Sequence, residues 1–552
     1  MPVLRFKTER LVRLTGLTIG ELQEALFRLK CETELIEDEF EVEINPDRPD
    51  MYLGEGIGRA VLGLQGARLG WRKPRTTTTE YSLRVEPPAK RPYIAAAVIY
   101  NVNVDEDFLP ELIQFQEKLH DTIGRRRKKV AIGFHDLEKL PSTSLKYTSV
   151  KTSEEMKPLE HGEKMTIGEI LRTTPQGEKY GTLSLDSRDN SHPALYSGDE
   201  IIAIPPVINS DITRMEPGTR DLFVDVTGTD LQTVLKVLDI IASNLAERPG
   251  VYIGMVKVVN ADDNSILHTP VLKFEKLTLK SDYVNSTLGL SLRPPDIKNA
   301  LERMLYNVEM SGADLHVEVP PFRADVLGGI DLVEDIAMAI GYEELGFNRP
   351  VVTDPGKLMA ETRVSRLLRD LAIGLGFTEV AQLTLTSPGL LDLTGYRERV
   401  EIANPVQLEY SVLRPSLVPT LLTVAQRNVH ASKPVKVFEI GSIVIPGEPP
   451  RDEYRIGFLV MDDEVGYEDI QAVIYSILRI LDIKFSVREY RHPAFIEGRT
   501  AEIIDAKGRH LGIAGEISPE VLEKMEIGYP IAVAELNLEV LAEWKFKTQN
   551  PT

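Results

Sequence analysis

An α+β protein of several domains is what this sequence predicts, and three observations predict it. At 552 residues the chain far exceeds the ~100 to 200 residues usual for one domain, so three to five compact units are expected. Its composition, 42% apolar, 7% aromatic and 27% charged, is that of an ordinary globular protein and not of a disordered, collagen-like or coiled-coil one. Short apolar strand-like runs, such as residues 95–100, 130–134 and 201–204, alternate with apolar stripes at helical spacing, so both kinds of element are needed.

Along the chain, Thr18 followed by Glu21 forms a capping box for a helix whose Leu22, Ala25, Leu26 and Leu29 share one face. An acidic stretch over 37–43 leads to Asn45-Pro46-Asp47-Arg48-Pro49-Asp50, where the prolines forbid helix and Asp50 can cap a helix starting near Met51. Gly54, Gly56 and Gly58 are dense but lack a strand-turn-helix context, which reads as close packing and not as a cofactor loop. Residues 74–79, with four successive threonines, have linker composition and close a first unit at 1–75.

A second, mixed unit over 90–255 ends in a helix with Leu231, Val234, Leu235, Leu238, Ile241, Ala242 and Leu245 on one stripe. A smaller third unit, 267–346, places a helix after Pro294 and Pro295, a strand over 315–319 and a second helix after Gly328-Gly329 with Val333, Ile336, Ala337 and Ile340 inward. That order at this size suits a winged-helix-like module. The fourth unit, 358–547, opens with a helix carrying Leu367, Leu368 and Leu371, ends it at Gly374 and Gly376, and continues as a mixed sheet.

Several function classes drop out. No apolar run approaches the ~20 residues that cross a bilayer, and charges recur too often in the first residues for a secretory signal. The single cysteine, Cys31, can neither close an internal disulfide nor build a zinc knuckle, which suits a reducing cytosol. A net charge of -20 opposes holding nucleic acid by bulk electrostatics. The local exception is Arg125-Arg126-Arg127-Lys128-Lys129, which could neutralise phosphates or simply be a solvated loop. Phosphate loops, HExxH, GxSxG and CxxC patterns are missing.

Two groups of residues could carry chemistry. Asp331, Glu334 and Asp335 share a helix face, with Asp325 just before it, and such a set of hard oxygen ligands suits magnesium. Acids in a first helical turn also complement the helix dipole, without any metal. In the mixed unit, His135, Asn209, Asp225, Thr227 and Thr229 lie around strand ends, where sites are common, although the same residues serve as turn formers.

Longer strings then carry a resemblance. INPDRPDMYLGEGIGRA from Ile44, HDTIGRRRKKVAIGFHDLEKL from His120, PPVINSDITRMEPGTRDLFVDVTGTD from Pro205 and PPFRADVLGGIDLVEDIAMAIGYEEL from Pro320 resemble the beta chain of phenylalanyl-tRNA synthetases, in its order. YSVLRPSLVPTLLTVAQRN from Tyr410, VFEIGSIV from Val437 and HPAFIEGRTAEI from His492 are similar to its catalytic-like domain. The match is to the shorter archaeal and eukaryotic form, since the chain lacks room for the extra RNA-binding domains of bacterial relatives.

This resemblance implies a tRNA-editing module at 90–255, a metal-bearing winged-helix-like domain at 267–346 and, at 358–547, a class II synthetase-like antiparallel-sheet domain without an active site. It implies Mg²⁺ on Asp325, Asp331, Glu334 and Asp335. An alpha subunit would use the ATP, in a cytoplasmic tetramer of two alpha and two beta chains that binds tRNA(Phe). An active core needs a glycine-rich strand and an arginine for ATP, and residues 531–538 have neither glycine nor arginine. An apolar pocket for phenylalanine rejects tyrosine only weakly, so a second site should hydrolyse tyrosyl-tRNA(Phe). Its expected wall is Asn209, Asp225, Thr227 and Thr229, with a positioned water as attacking group and His135 as a possible base. A non-catalytic tRNA-binding scaffold and a free-standing deacylase are the alternatives.

Overall fold

In the computed structural model residues 2–347, 349–350, 355–543 and 545 are described. The chain divides into two compact units, Met1–Arg349 and Pro350–Thr552. Residues 544, 546 and 547 of the unit expected over 358–547 lie outside the described residues.

In the first unit the strands Val3–Lys7, Glu39–Glu43 and Glu32–Ile36 form a small antiparallel sheet, in that order. The helix Ile19–Arg28 starts at the expected capping box and buries Leu22, Ala25 and Leu26. Asp50 does not act as a cap. Arg48 takes both its carboxylate oxygens at 2.9 Å, a 3₁₀ turn spans Pro49–Met51, and the next helix, Gly54–Leu64, begins without a side-chain cap. The glycines of this helix are there for packing: a Cβ on Gly56 would sit 1.8 Å from the Asp50 carbonyl oxygen.

The expected linker at 74–79 is corrected. Thr76–Val85 is a strand, parallel to both Tyr252–Asn260 and Ser144–Lys151, inside a ten-stranded sheet. Its threonines are β-branched and suit a pleated, half-buried surface, which is why this polar run is a strand. The sheet also takes in Tyr252–Asn260 and Ile266–Thr269, and so reaches past both ends of 90–255.

The helix Leu231–Leu245 packs on Tyr93–Tyr100 and Leu222–Gly228. From Val237 to Leu245 every residue is buried, so the expected stripe holds for the first turns and widens to all faces in the second part of the helix. In the region 267–346 there are more elements than the helix-strand-helix expected. A three-stranded antiparallel sheet, Glu275–Lys280, Asp314–Val319 and Asn307–Ser311, is packed with the helices Ser281–Leu288, Pro294–Arg303 and Gly329–Ile340. One apolar cluster, from Leu4 to Ala339, runs through all three regions of this unit, and the ten-stranded sheet region adds two clusters of its own, one around Leu83, Val98 and Phe223 and one around Val150, Ile170 and Ile204.

The second unit is built on a seven-stranded sheet. All its pairings are antiparallel except that of Thr378–Glu379 with Val435–Ile445. The helices Ala360–Gly374 and Tyr467–Ile480 join one apolar cluster, and Val418–Arg427 joins another. Ile531–Asn537 is an inner strand with all seven residues buried. Among the described residues no helix is long and apolar enough to cross a membrane.

Candidate functional site

The strands Val130–Asp136 and Leu222–Gly228 run antiparallel, with Gly133 opposite Asp225 and Ala131 opposite Thr227. Asp225 and Thr227, two apart, lie on one face of their strand, and the positions across from them carry the two smallest side chains. The missing side chain of Gly133 makes room for the Asp225 carboxylate, and beside it lies a cavity of about 690 Å³. It is walled by apolar groups such as Leu109, Ile132, Phe134, Val207 and Met215, with Asn209, Asp225 and Thr227 among the polar ones. Its size is within the roughly 300–1,000 Å³ of small-molecule sites.

Three of the five residues expected here therefore line one space, and two do not. His135 is fully buried behind Asp225: its Nε2–H donates to the carboxylate at 2.9 Å, and Nδ1 pairs with the Thr213 hydroxyl at 2.7 Å. Both ring nitrogens are engaged in these contacts, which hold the Asp225 carboxylate in place. Thr229 is exposed beyond the strand end, where its N–H donates to the Lys129 carbonyl, because the chain turns at Gly228 towards the next helix. Asn209 donates its amide to the Phe134 carbonyl at 3.2 Å, which fixes the orientation of its side chain.

Several lining groups were not found from the sequence. His161 donates Nδ1–H to the Leu159 carbonyl at 2.9 Å, so in the neutral ring Nε2 is an acceptor, on the cavity wall. Arg125, Arg126 and Arg127 all have left-handed backbone, φ 50°, 54° and 63°, and this turn sends Arg127 into the wall. There it donates to the Pro206 and Val207 carbonyls at 3.1 and 3.0 Å and to Glu117 at 2.7 Å, with its guanidinium 4.5 Å from the Tyr180 ring centre. Burial pushes the Glu117 carboxyl up, but hydrogen bonds from His120 and Arg127 and the charge of Arg127 hold it well below the usual range. His120 accepts the Ile132 N–H at Nε2, and burial lowers its pKa, so it is neutral. The basic run is thus divided: Arg127 is structural, while Arg125, Arg126 and Lys128 stay exposed.

Asp325, Asp331, Glu334 and Asp335 line a second pocket of about 510 Å³, but they do not converge on one point. Arg323 comes between two of them, bonding Asp325 at 2.9 and 2.6 Å and Asp335 at 2.6 Å. The hydroxyl of Tyr306 also donates to Asp335. Burial opposes the charge on Asp325, yet the neighbouring guanidinium brings its pKa down to about 2. Asp331 accepts the Leu327 and Gly328 N–H groups, and Glu334 pairs with Lys30 at 2.8 Å. Among the described residues no three acidic, histidine or cysteine side chains are gathered to hold a metal. Of the four residues expected as a ligand set, Asp325 and Asp335 here pair with a buried arginine. Asp331 and Glu334, which Arg323 does not claim, fit a hydrated Mg²⁺, an ion commonly held through one or two carboxylates.

Comparison with known proteins gives the family. Residues 277–342 match the model of the tRNA synthetase B5 domain, and 349–538 match that of the phenylalanyl tRNA synthetase beta chain CLM domain. Fold and matched segments together define a protein of the tRNA synthetase class. Over 552 residues the chain is 53% identical to the phenylalanine–tRNA ligase beta subunit of Aeropyrum pernix, covering 99% of this chain and 100% of that one. It is 41% identical over 541 residues to that of Saccharolobus solfataricus, with 97% of each covered. The chain belongs to the phenylalanine–tRNA ligase beta subunits. Among solved structures, an N-terminal fragment of the phenylalanyl-tRNA synthetase beta-subunit from Pyrococcus horikoshii matches with a TM-score of 0.59 at 33% identity, covering 62% of this chain and 100% of the fragment.

Proposed function

We propose that this chain is the proofreading and assembling subunit of a cytoplasmic phenylalanine–tRNA ligase, working with an alpha chain in a tetramer of two alpha and two beta chains. The observation that carries the proofreading role is the buried Asp225, opposite Gly133, in the floor of a cavity of mixed apolar and polar lining. Tyrosine esterified to tRNA(Phe) would place its ring along the Ala131 and Gly133 positions, against Val207, and donate its phenol hydrogen to Asp225. Phenylalanine offers no such donor and would leave the carboxylate desolvated with the His135 bond alone, at a cost of roughly 1–3 kcal/mol.

Hydrolysis consumes one water. Its oxygen bonds to the ester carbonyl carbon, the bond from that carbon to the ribose oxygen breaks, and the ribose oxygen takes a proton. Nε2 of His161, on the wall, is the group suited to accept the proton of the attacking water. Adenylate formation belongs to the alpha chain in this reading, since at the buried Glu535 the inner strand Ile531–Asn537 is filled by its own contacts with Arg455 and the Leu417 N–H. Bound at Asp331 and Glu334, Mg²⁺ would offset a local surplus of carboxylates.

The test is hydrolysis of tyrosyl-tRNA(Phe) by the complex of this chain with its alpha partner. Asp225→Ala and Thr227→Ala should each reduce it at least ~100-fold and leave phenylalanine charging intact. Unchanged hydrolysis would leave only the scaffold role. Full activity of the chain alone, as a monomer, would make it a free deacylase.

A further inference from the structure

Arg91 precedes the strand Tyr93–Tyr100, and its side chain is fully enclosed, 1% exposed. It donates three hydrogen bonds: Nε to the Thr227 hydroxyl at 2.9 Å, Nη2 to the Thr227 carbonyl at 2.9 Å, and Nη1 to the Arg127 carbonyl at 3.1 Å. Its own carbonyl accepts the Tyr147 hydroxyl at 2.8 Å. All these partners are neutral, and among the described residues Arg91 forms no ion pair. Among the described residues no carboxylate stands within ion-pair distance of this buried cation, and of the charges around it Asp225 favours it while Arg127 opposes it. Burial lowers its pKa to about 10, so it is charged at neutral pH.

Building on the proofreading reading, we propose that Arg91 is a positioning residue that turns Thr227 into a hydrogen-bond donor for the ester carbonyl oxygen of the bound substrate. A hydroxyl has one hydrogen and two lone pairs. With Arg91 filling a lone pair of Thr227, the hydrogen is left for an acceptor, and Thr227 borders the cavity although its side chain has no surface open to water. The positive charge behind the hydroxyl strengthens it as a donor where the carbonyl oxygen gains negative charge as water adds. Two residues along the same strand face, Asp225 offers the opposite character, an acceptor. One floor thus presents an acceptor and a charge-backed donor side by side. Through the Arg127 carbonyl, Arg91 also ties this floor to the basic turn on the cavity wall.

The test is a double-mutant cycle in the full-length complex, reading tyrosyl-tRNA(Phe) hydrolysis. Arg91→Met should lower kcat about 10- to 100-fold with KM within about twofold, and it should add nothing to Thr227→Val. Arg91→Lys, which keeps the charge and part of the bonding, should recover part of the rate, and it carries the test if Arg91→Met does not fold. Additive effects, or a change confined to KM, would overturn the proposal while leaving proofreading intact. If the wild-type complex does not hydrolyse the ester, the proofreading reading fails instead. The cycle is then read in the affinity for the amide analogue 3′-tyrosylamino-3′-deoxyadenosine by calorimetry. Coupling between Arg91 and Thr227 there sustains the proposal, and independent effects or no binding by the wild type overturn it.

Discussion

Gly133 is the residue at which the cavity floor is most sensitive to a single added carbon. A Cβ there would lie 2.2 Å from Asp225 Oδ1 and 3.0 Å from His135 Nε2, so Gly133→Ala must part that pair. We expect a loss of about 1–3 kcal/mol in denaturant unfolding and a fall in tyrosyl-tRNA hydrolysis larger than the stability change explains. Asp239 makes a prediction about pH. Burial raises its carboxyl to about 6, although the Val271 and Leu272 N–H groups donate to it at 3.0 and 3.1 Å. A raised carboxyl favours folding below its unfolded value, near 3.8, and this contribution is lost as pH rises through about 6. Asp239→Asn keeps an acceptor for both N–H groups without the charge. It should therefore be more stable than the parent at pH 8 by about 1–3 kcal/mol and nearly equal at pH 4, as read from unfolding midpoints at the two pH values. Neither effect could be anticipated from residue type, because both depend on what lies across a strand or against a helix.

At the scale of elements, the turn Arg125–Arg127 combines strain with charge. Three successive left-handed residues that are not glycine store roughly 1 kcal/mol or more each, and the return is an Arg127 facing inward and two arginines facing out. Replacing Arg125 and Arg126 together by glycine should raise the melting temperature. It should also lower the salt dependence of tRNA binding, by about one unit of log–log slope per cation if both meet phosphate. A melting temperature that falls would show that the arginine side chains hold the turn. The charge run was readable from the sequence, but its division into buried and exposed cations was not, since nothing local specifies which way a turn of left-handed residues points. The same limit explains the misread strand Thr76–Val85, whose place is decided by the parallel neighbours Tyr252–Asn260 and Ser144–Lys151, far away in sequence.

At the scale of the molecule, Arg59 holds the first unit together. From the helix Gly54–Leu64 it reaches the Ser243 carbonyl at 3.2 Å and Asn244 at 3.0 Å, and it lies 3.7 Å from the Phe322 ring centre. Asp50 and Glu247 stand at 3.7 and 3.5 Å. Arg59→Ala removes one partner from this buried network and should cost about 3 kcal/mol in urea unfolding, with tyrosyl-tRNA hydrolysis falling in parallel with the folded fraction. A loss of hydrolysis in fully folded protein would give Arg59 a role beyond support. The NPDRPD segment finds its explanation here: Arg48 and Asp50 pair with each other, and Asp50 faces Arg59, so the motif is part of a staple between distant parts of one core.

The sequence by itself determined the α+β class, several long helices such as Ile19–Arg28 with its capping box, Leu231–Leu245 and Gly329–Ile340, the family, and three of the cavity residues, Asn209, Asp225 and Thr227. These follow from local periodicity, local capping chemistry and long specific strings. Only the tertiary structure decided that His135 backs Asp225, that Arg323 claims Asp325 and Asp335, that Thr229 stands outside, and that Arg91 and His161 join the site. Each of those is a contact between residues far apart along the chain or across a turn, and it depends on strand register and on which groups share a buried space, neither of which a residue carries in its own identity.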